Sequence, residues 1–203
     1  TNTFYHLWPI RYTEETMIEV EKKYLLNAEQ EKKLIEGATF LEEKTNEDVY
    51  YDTKELALTT SDNWLRSRNG RFELKRRLHK LGHSLGATAY EEMEDDEQIR
   101  EFLKLPGSNS LEVDLLSAGY TPFVSIIKQR RSYRRGEFMI DLDICDFGYQ
   151  IAEIELMIDD DAMRSEALAK INTLADEMNL DTTRVHGKII EYLYRYNKPH
   201  YKA

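Results

Sequence analysis

Charged side chains recur at a two-residue spacing along this chain. Glu19, Glu21 and Lys23 alternate with Ile18 and Val20, and Arg66 and Arg68 flank Leu65. Glu73 and Lys75 alternate with Phe72 and Leu74, and Lys128 and Arg130 lie opposite Ile127. Asp141 and Asp143 alternate with Ile140 and Leu142, and Glu153 and Glu155 with Ile154 and Leu156. Residues two apart on a strand share a face, so each segment puts its charges on one side and its apolar residues on the other. Solvent on the polar side explains a single such strand. Repetition on many strands, with acid pairs and basic pairs separated, fits a sheet curled into a barrel with the charges inside and helices packed on the apolar outside. Charges in a lumen are costly unless they pair or hold ions. Carboxylate clusters suit Mg²⁺ or Mn²⁺, Arg and Lys clusters suit phosphate oxygens, and a site with both matches metal-assisted phosphoryl transfer.

The elements needed to position these charges are readable. Met17–Leu26 alternates as a strand, Asn27 caps a helix over about 28–37, and strands follow near Thr39–Lys44 and Asp48–Asp52. Asn63–Arg68 and Arg71–Leu78 are joined by Asn69-Gly70, a short-hairpin signal. His79–Gly86 reads as a mobile loop, and a strand covers about Thr88–Met93. Asp95–Leu105 is helical, and Asn109 or Ser110 caps a short helix ending at Gly119. Long strands are expected near Phe123–Arg134, Glu137–Cys145 and Tyr149–Ile158, with helices over Asp161–Met178 and Gly187–Tyr196. Residues 1–16 lack periodicity and read as an N-terminal extension or an expression remnant before Met17; residues 17–203 read as a single domain.

Composition narrows the function. The chain of 203 residues carries 28 Lys and Arg against 38 Asp and Glu, a formal net charge of −10. That balance argues against a general nucleic-acid binder but allows a local basic cavity for a small anion. One cysteine permits no intrachain disulfide and favours a reducing, cytosolic setting, and no stretch reads as a membrane span or secretory signal. Other motifs fail. There is no G-x-x-x-x-G-K-[ST] phosphate loop; His79 and His83 sit in a loop context with Gly82 and Ser84; and Cys145, placed on the apolar side of its strand or at its end, reads as a packed thiol.

Ile18-Glu19-Val20-Glu21-Lys22-Lys23 resembles the E-x-E-x-K stretch of the CYTH superfamily, the triphosphate tunnel metalloenzymes. The resemblance continues in order through Tyr50-Tyr51-Asp52-Thr53, Trp64-Leu65-Arg66-Ser67-Arg68, Phe72-Glu73-Leu74-Lys75, Lys128-Gln129-Arg130, Asp141-Leu142-Asp143, Asp146-Phe147-Gly148-Tyr149, Glu153-Ile154-Glu155 and Lys188. Asn63–Arg66 and Asp141–Tyr149 look most like the thiamine triphosphatase branch. The resemblance implies an α+β fold, a closed eight-stranded antiparallel tunnel around a triphosphate. It implies that Arg66, Arg68, Lys75, Arg130 and Lys188, with Lys128, hold phosphate oxygens. Glu19, Glu21, Asp141, Glu153 and Glu155, with Glu92 as a further lumen acid, would position one or two divalent ions. For Asp143, Glu73 and Arg131 an ion pair is the better reading.

Water activation has two readings. Lys23 and Tyr50 are implied near the triphosphate, where an ammonium would lower the phenol's pKa and let Tyr50 accept a proton; alternatively a second metal generates the nucleophile. Trp64 shares a face with Arg66 and Arg68 and precedes them, so it is expected to meet the organic end of a substrate. The implied activity is metal-dependent hydrolysis of thiamine triphosphate by a cytosolic monomer with no nucleic-acid or membrane partner. A broader triphosphatase, an adenylyl cyclase and a non-catalytic triphosphate-binding module are the alternatives.

Overall fold

The alternation becomes a closed barrel. The computed structural model describes residues 18–77, 88–107, 109–181, 183 and 185–202. Its strands are β1 (Ile18–Tyr24), β2 (Thr39–Asp52), β3 (Trp64–Arg68), β4 (Arg71–Arg77), β5 (Thr88–Met93), β6 (Thr121–Arg135), β7 (Phe138–Cys145) and β8 (Gln150–Ile158). They close in the order β1-β5-β4-β3-β2-β6-β7-β8, with β8 returning to β1 and each neighbouring pair antiparallel. The eight-stranded antiparallel barrel expected from the sequence is therefore the fold. Residues 1–17, including the segment read as an extension or remnant, and the His79–Gly86 loop reading lie outside the described residues.

Two turns show how the sequence sets the register. Asn69 and Gly70 both take positive φ, 50° and 87°, which is what a two-residue hairpin turn with the strands' own twist demands. Gly148, at φ 76°, lets Asp146–Tyr149 reverse the chain between β7 and β8. β2 is one strand of 14 residues where the sequence suggested two. Asn46-Glu47 has little strand propensity, but β6 pairs along the whole length of β2, with register shifts at Phe40/Glu42 and Tyr50/Tyr51. Asn46 is buried there and accepts a hydrogen bond from the Asn69 side chain at 3.1 Å.

Helices cover the apolar outside. α1 (Ala28–Ile35), capped by Asn27, and α4 (Arg164–Glu177) pack Leu34, Leu168 and Ile171 against Val20, Ile140, Ile154 and Leu156. α2 (Asp96–Leu103) and α3 (Leu111–Ser117), capped by Asp95 and Ser110, place Ile99, Leu111 and Leu115 over Leu65, Phe72 and Leu74. A third cluster lies within one end of the barrel. There α5 (Lys188–Tyr196) brings Ile189 and Leu193 against Tyr50, Trp64, Ile126, Cys145 and Ile151. A last turn, α6 (Lys198–Tyr201), was not legible in the sequence. It starts at Asn197, whose side chain accepts from the His200 amide, and it packs His200 on Phe123 with ring centroids 4.7 Å apart.

Candidate functional site

The inward residues enclose a cavity of about 700 Å³. Glu19, Glu21, Lys23, Tyr50, Trp64, Arg66, Arg68, Lys75, Glu92, Arg130, Glu153, Glu155 and Lys188 all line it. Thirteen of the fifteen residues singled out from sequence thus meet around one space; the other two, Lys128 and Asp141, are buried behind its wall.

On the wall formed by β1, β7 and β8, carboxylates converge. Oxygens of Glu19, Glu21 and Glu155 lie within 4.8 Å of one another, and so do those of Asp141, Glu153 and Glu155. Glu155 belongs to both groups. It has no cationic partner within ion-pair distance among the described residues, whereas Glu19 pairs with Lys75 at 3.2 Å and Glu153 with Arg130 at 2.8 Å and Lys188 at 2.7 Å. Burial, then the neighbouring Glu153 and Asp141, push Glu155 up to about 8. Burial also raises Glu19 well above the carboxylate range, with Glu21, Glu155 and Glu92 adding to it against Lys75. Burial alone would raise Glu21, but Lys23 and then Lys75 outweigh it and hold that carboxyl down to about 2. An all-oxygen set of crowded carboxylates, one of them uncompensated, fits a hard divalent cation. Glu92 joins neither group. It is the 2.6 Å partner of Lys75 across the β4–β5 ladder, so the structure makes it an ion-pair residue rather than part of a carboxylate cluster.

The cations face these acids from β3, β4, β6 and α5. Arg66 bonds Glu73 through Nε at 2.8 Å, and Arg68 bonds Asp48 through Nε at 2.7 Å and Nη2 at 3.2 Å. Arg130 reaches Asp141, Asp143 at 2.7 Å and Glu153 at 2.8 Å. Lys188, at the first turn of α5, enters the barrel to meet Asp143 and Glu153, each at 2.7 Å. Burial disfavours the charge on Arg66, Lys75, Arg130 and Lys188, yet their anionic neighbours more than offset it and raise all four. Asp143 and Glu73 are ion-pair members, as read from the sequence, and Arg131 points outward to Glu31 at 2.7 Å.

Two expectations are corrected, and a third is narrowed. Lys128 is fully buried and donates to Asp48 at 2.7 Å, off the cavity surface, because Asp48 on the neighbouring strand holds it against the wall. The Lys23–Tyr50 proton-accepting pair is not assembled. Lys23 is bound to Glu21 and lies 3.8 Å from Glu153, while Tyr50 sits in the apolar end, where burial raises its phenol and the cations acting on it are Arg66 and Lys188. Cys145 is the last residue of β7, one of its two expected placements; it shares the parity of Asp141 and Asp143 and faces inward, packed as expected, with its thiol pushed by burial up to about 11.

A CYTH domain model matches residues 17–186. The chain belongs to the CYTH family. Thiamine-triphosphatases of Macaca fascicularis and Homo sapiens are each 30% identical to it, the alignments covering 92% of this chain and 88% of theirs. Among solved structures, PH1819 from Pyrococcus horikoshii superposes with a TM-score of 0.64 at 23% identity, covering 87% of this chain and 98% of that one. A Hippeastrum protein described as a putative adenylyl cyclase with a dominant triphosphatase activity superposes at 0.56 with 16% identity, covering 88% and 95%. These superpositions establish a shared fold.

This CYTH chain also has site residues that the sequence reading passed over. Asp48 gathers Arg68, Lys128 and Arg66, and these cations hold its carboxyl far below the usual range against the upward push of burial. Its alternation with Tyr50 on β2 was the available signal. Tyr90 lines the cavity two residues before Glu92, on the same face. Asp62 lies in a turn, where alternation says nothing, and His186 and His200 arrive with the C-terminal segment.

Proposed function

We propose that this protein is a divalent-metal-dependent hydrolase that converts thiamine triphosphate to thiamine diphosphate and phosphate. The observation that carries the reading is one cavity lined by carboxylates, by the cations that face them, and by Trp64 together with Tyr50 and Tyr90. Family membership and the two thiamine-triphosphatase relatives support it.

Arg66, Arg68, Lys75, Arg130 and Lys188 take the phosphate oxygens in exchange for part of their present carboxylate partners. Glu19, Glu21, Asp141, Glu153 and Glu155 are the residues that would hold Mg²⁺, or Mn²⁺ in its place. An ion bound there supplies charge neutralisation at the phosphate oxygens. The water oxygen bonds the terminal phosphorus as the bridging P–O bond breaks; the bridging oxygen leaves with thiamine diphosphate, one water proton stays on the released phosphate and the other passes to solvent. Lys23, on the carboxylate wall, donates to the terminal phosphate in this reading. A closed barrel offers no strand edge to pair, which supports a monomer, and the net charge of −10 supports a small anionic substrate over nucleic acid. The single cysteine supports a reducing, cytosolic setting.

Phosphate contacts are common to every triphosphate, so selectivity has to come from the aromatic end. An indole face attracts the thiazolium cation by about 0.5–2 kcal/mol. Trp64→Ala therefore lowers kcat/KM for thiamine triphosphate more than for inorganic tripolyphosphate. Equal losses on both would make Trp64 a packing residue and the protein a general triphosphatase.

A further inference from the structure

Asp62 closes the 3-10 turn Thr59–Ser61 immediately before β3, with a left-handed backbone at φ 53° and ψ 38°. Such a conformation is uncommon outside glycine and is best tolerated by Asn and Asp. It is fixed locally by the Asp62 amide donating to Thr59 O and the Asn63 amide to Leu58 O, each at 3.0 Å. The Asn63 side chain accepts the Arg77 amide at 3.1 Å, tying the turn to β4. The Asp62 carboxylate is thus held at the lip of the cavity, which it lines.

One oxygen of that carboxylate does two jobs. Asp62 Oδ1 accepts the indole N–H of Trp64 at 2.8 Å and the phenol O–H of Tyr90 at 3.1 Å. Its Oδ2 faces Arg77. An indole has one N–H and a phenol one O–H, so both rings spend their only donor on the same atom. Neither can turn about its side-chain bonds without breaking that contact. What the two rings then offer the cavity is carbon surface and π density. Arg77 balances the carboxylate's charge, so Asp62 contributes direction more than net potential.

We infer that Asp62 is a positioning residue for substrate choice: it orients Trp64 and Tyr90 as the aromatic walls that receive the cationic organic end of the substrate. The inference rests on the thiamine triphosphate reading. Without Asp62 the freed N–H and O–H become donors that favour phosphate oxygens over a cation. The cationic substrate then loses its fixed walls, while bare tripolyphosphate loses nothing.

The test uses a Trp8→Phe background, which leaves Trp64 as the one indole of a chain with two tryptophans. Asp62→Ala and Asp62→Asn are compared for Trp64 emission and for kcat/KM on thiamine triphosphate and tripolyphosphate, with far-UV dichroism confirming the fold. Asp62→Ala should shift the emission and lower kcat/KM for thiamine triphosphate by about ten-fold, mainly through KM, with tripolyphosphate changed less than about three-fold. Asp62→Asn, whose amide oxygen still accepts, should restore most of the loss. Unchanged emission, equal losses on the two substrates, or an Asn variant as impaired as Ala would each overturn the assignment. A parent protein with no preference for thiamine triphosphate would overturn the substrate reading instead. The emission would then decide Asp62 alone, a shift upholding its positioning role and no shift overturning it.

Discussion

Replacing Lys128 by Met should stabilise the ligand-free protein, and more so at low pH. The Lys128 side chain is fully buried, its one close anion among the described residues is Asp48 at 2.7 Å, and burial followed by Lys188, Arg130 and Arg66 pushes its ammonium down to about 7. The drop from the ordinary 10.5 to about 7, at about 1.36 kcal/mol per pH unit, corresponds to roughly 5 kcal/mol against the charged form. The sign follows from linkage. The unfolded chain holds this proton more tightly than the folded one, so the penalty is complete below pH 7, shrinks as pH rises toward 10.5 and vanishes above it. Met keeps the volume and removes the charge. Asp48 retains two hydrogen bonds from Arg68 and the neighbouring Arg66, so losing the Lys128 contact offsets only part of the gain. A net stabilisation of about 1–3 kcal/mol near pH 6, fading with rising pH, is expected. Urea unfolding of both proteins across that range measures it. A less stable variant at low pH, or a difference that does not change with pH, would refute the reasoning. Because Lys128 lies off the cavity surface, tripolyphosphate binding to the variant should weaken by less than about ten-fold, well short of the cost of losing a direct charged contact.

Arg130→Ala removes the cation shared by Asp141, Asp143 and Glu153, and Arg66→Ala leaves Glu73 and Asp48 short of one. Each should weaken tripolyphosphate binding by about 2–5 kcal/mol, seen as loss of the thermal shift that millimolar tripolyphosphate gives the parent protein. Glu155→Gln takes the shared member out of both carboxylate groups, and calorimetric titration with Mg²⁺ should show markedly weaker binding; unchanged affinity would remove Glu155 from the ion's ligands. Glu155 is raised to about 8, so an incoming ion has to displace its proton below that pH. Mg²⁺ affinity should climb by up to about ten-fold per pH unit until about pH 8 and then flatten, whereas a flat profile from pH 6 upward would contradict a protonated Glu155.

The barrel was legible because one rule, period two with charges on the recurrent face, repeats from Glu19 to Glu155, and because Asn69-Gly70 and Gly148 mark turns that few other residues make. The convergence of Glu19, Glu21, Glu153 and Glu155 with Arg66, Arg68, Lys75, Arg130 and Lys188 followed from that face assignment together with the family resemblance. What stayed hidden depends on depth and on turns. Alternation puts Lys128 on the inner face but cannot say that Asp48 holds it behind the wall. It cannot separate Tyr50, in the apolar end with Trp64 and Ile126, from the charged section that holds Lys23. Asp62 sits in a left-handed turn with no periodic signal, and α6 is four residues long with a proline in its first turn, too short for any period to declare it.

Phosphate release from thiamine triphosphate, tripolyphosphate and ATP, each with Mg²⁺ and again with excess EDTA, decides both the substrate and the need for metal. The highest kcat/KM should fall on thiamine triphosphate, with no turnover of any substrate in EDTA. Full activity in EDTA, or ATP consumed faster than thiamine triphosphate or converted to a cyclic nucleotide, would contradict the proposed function.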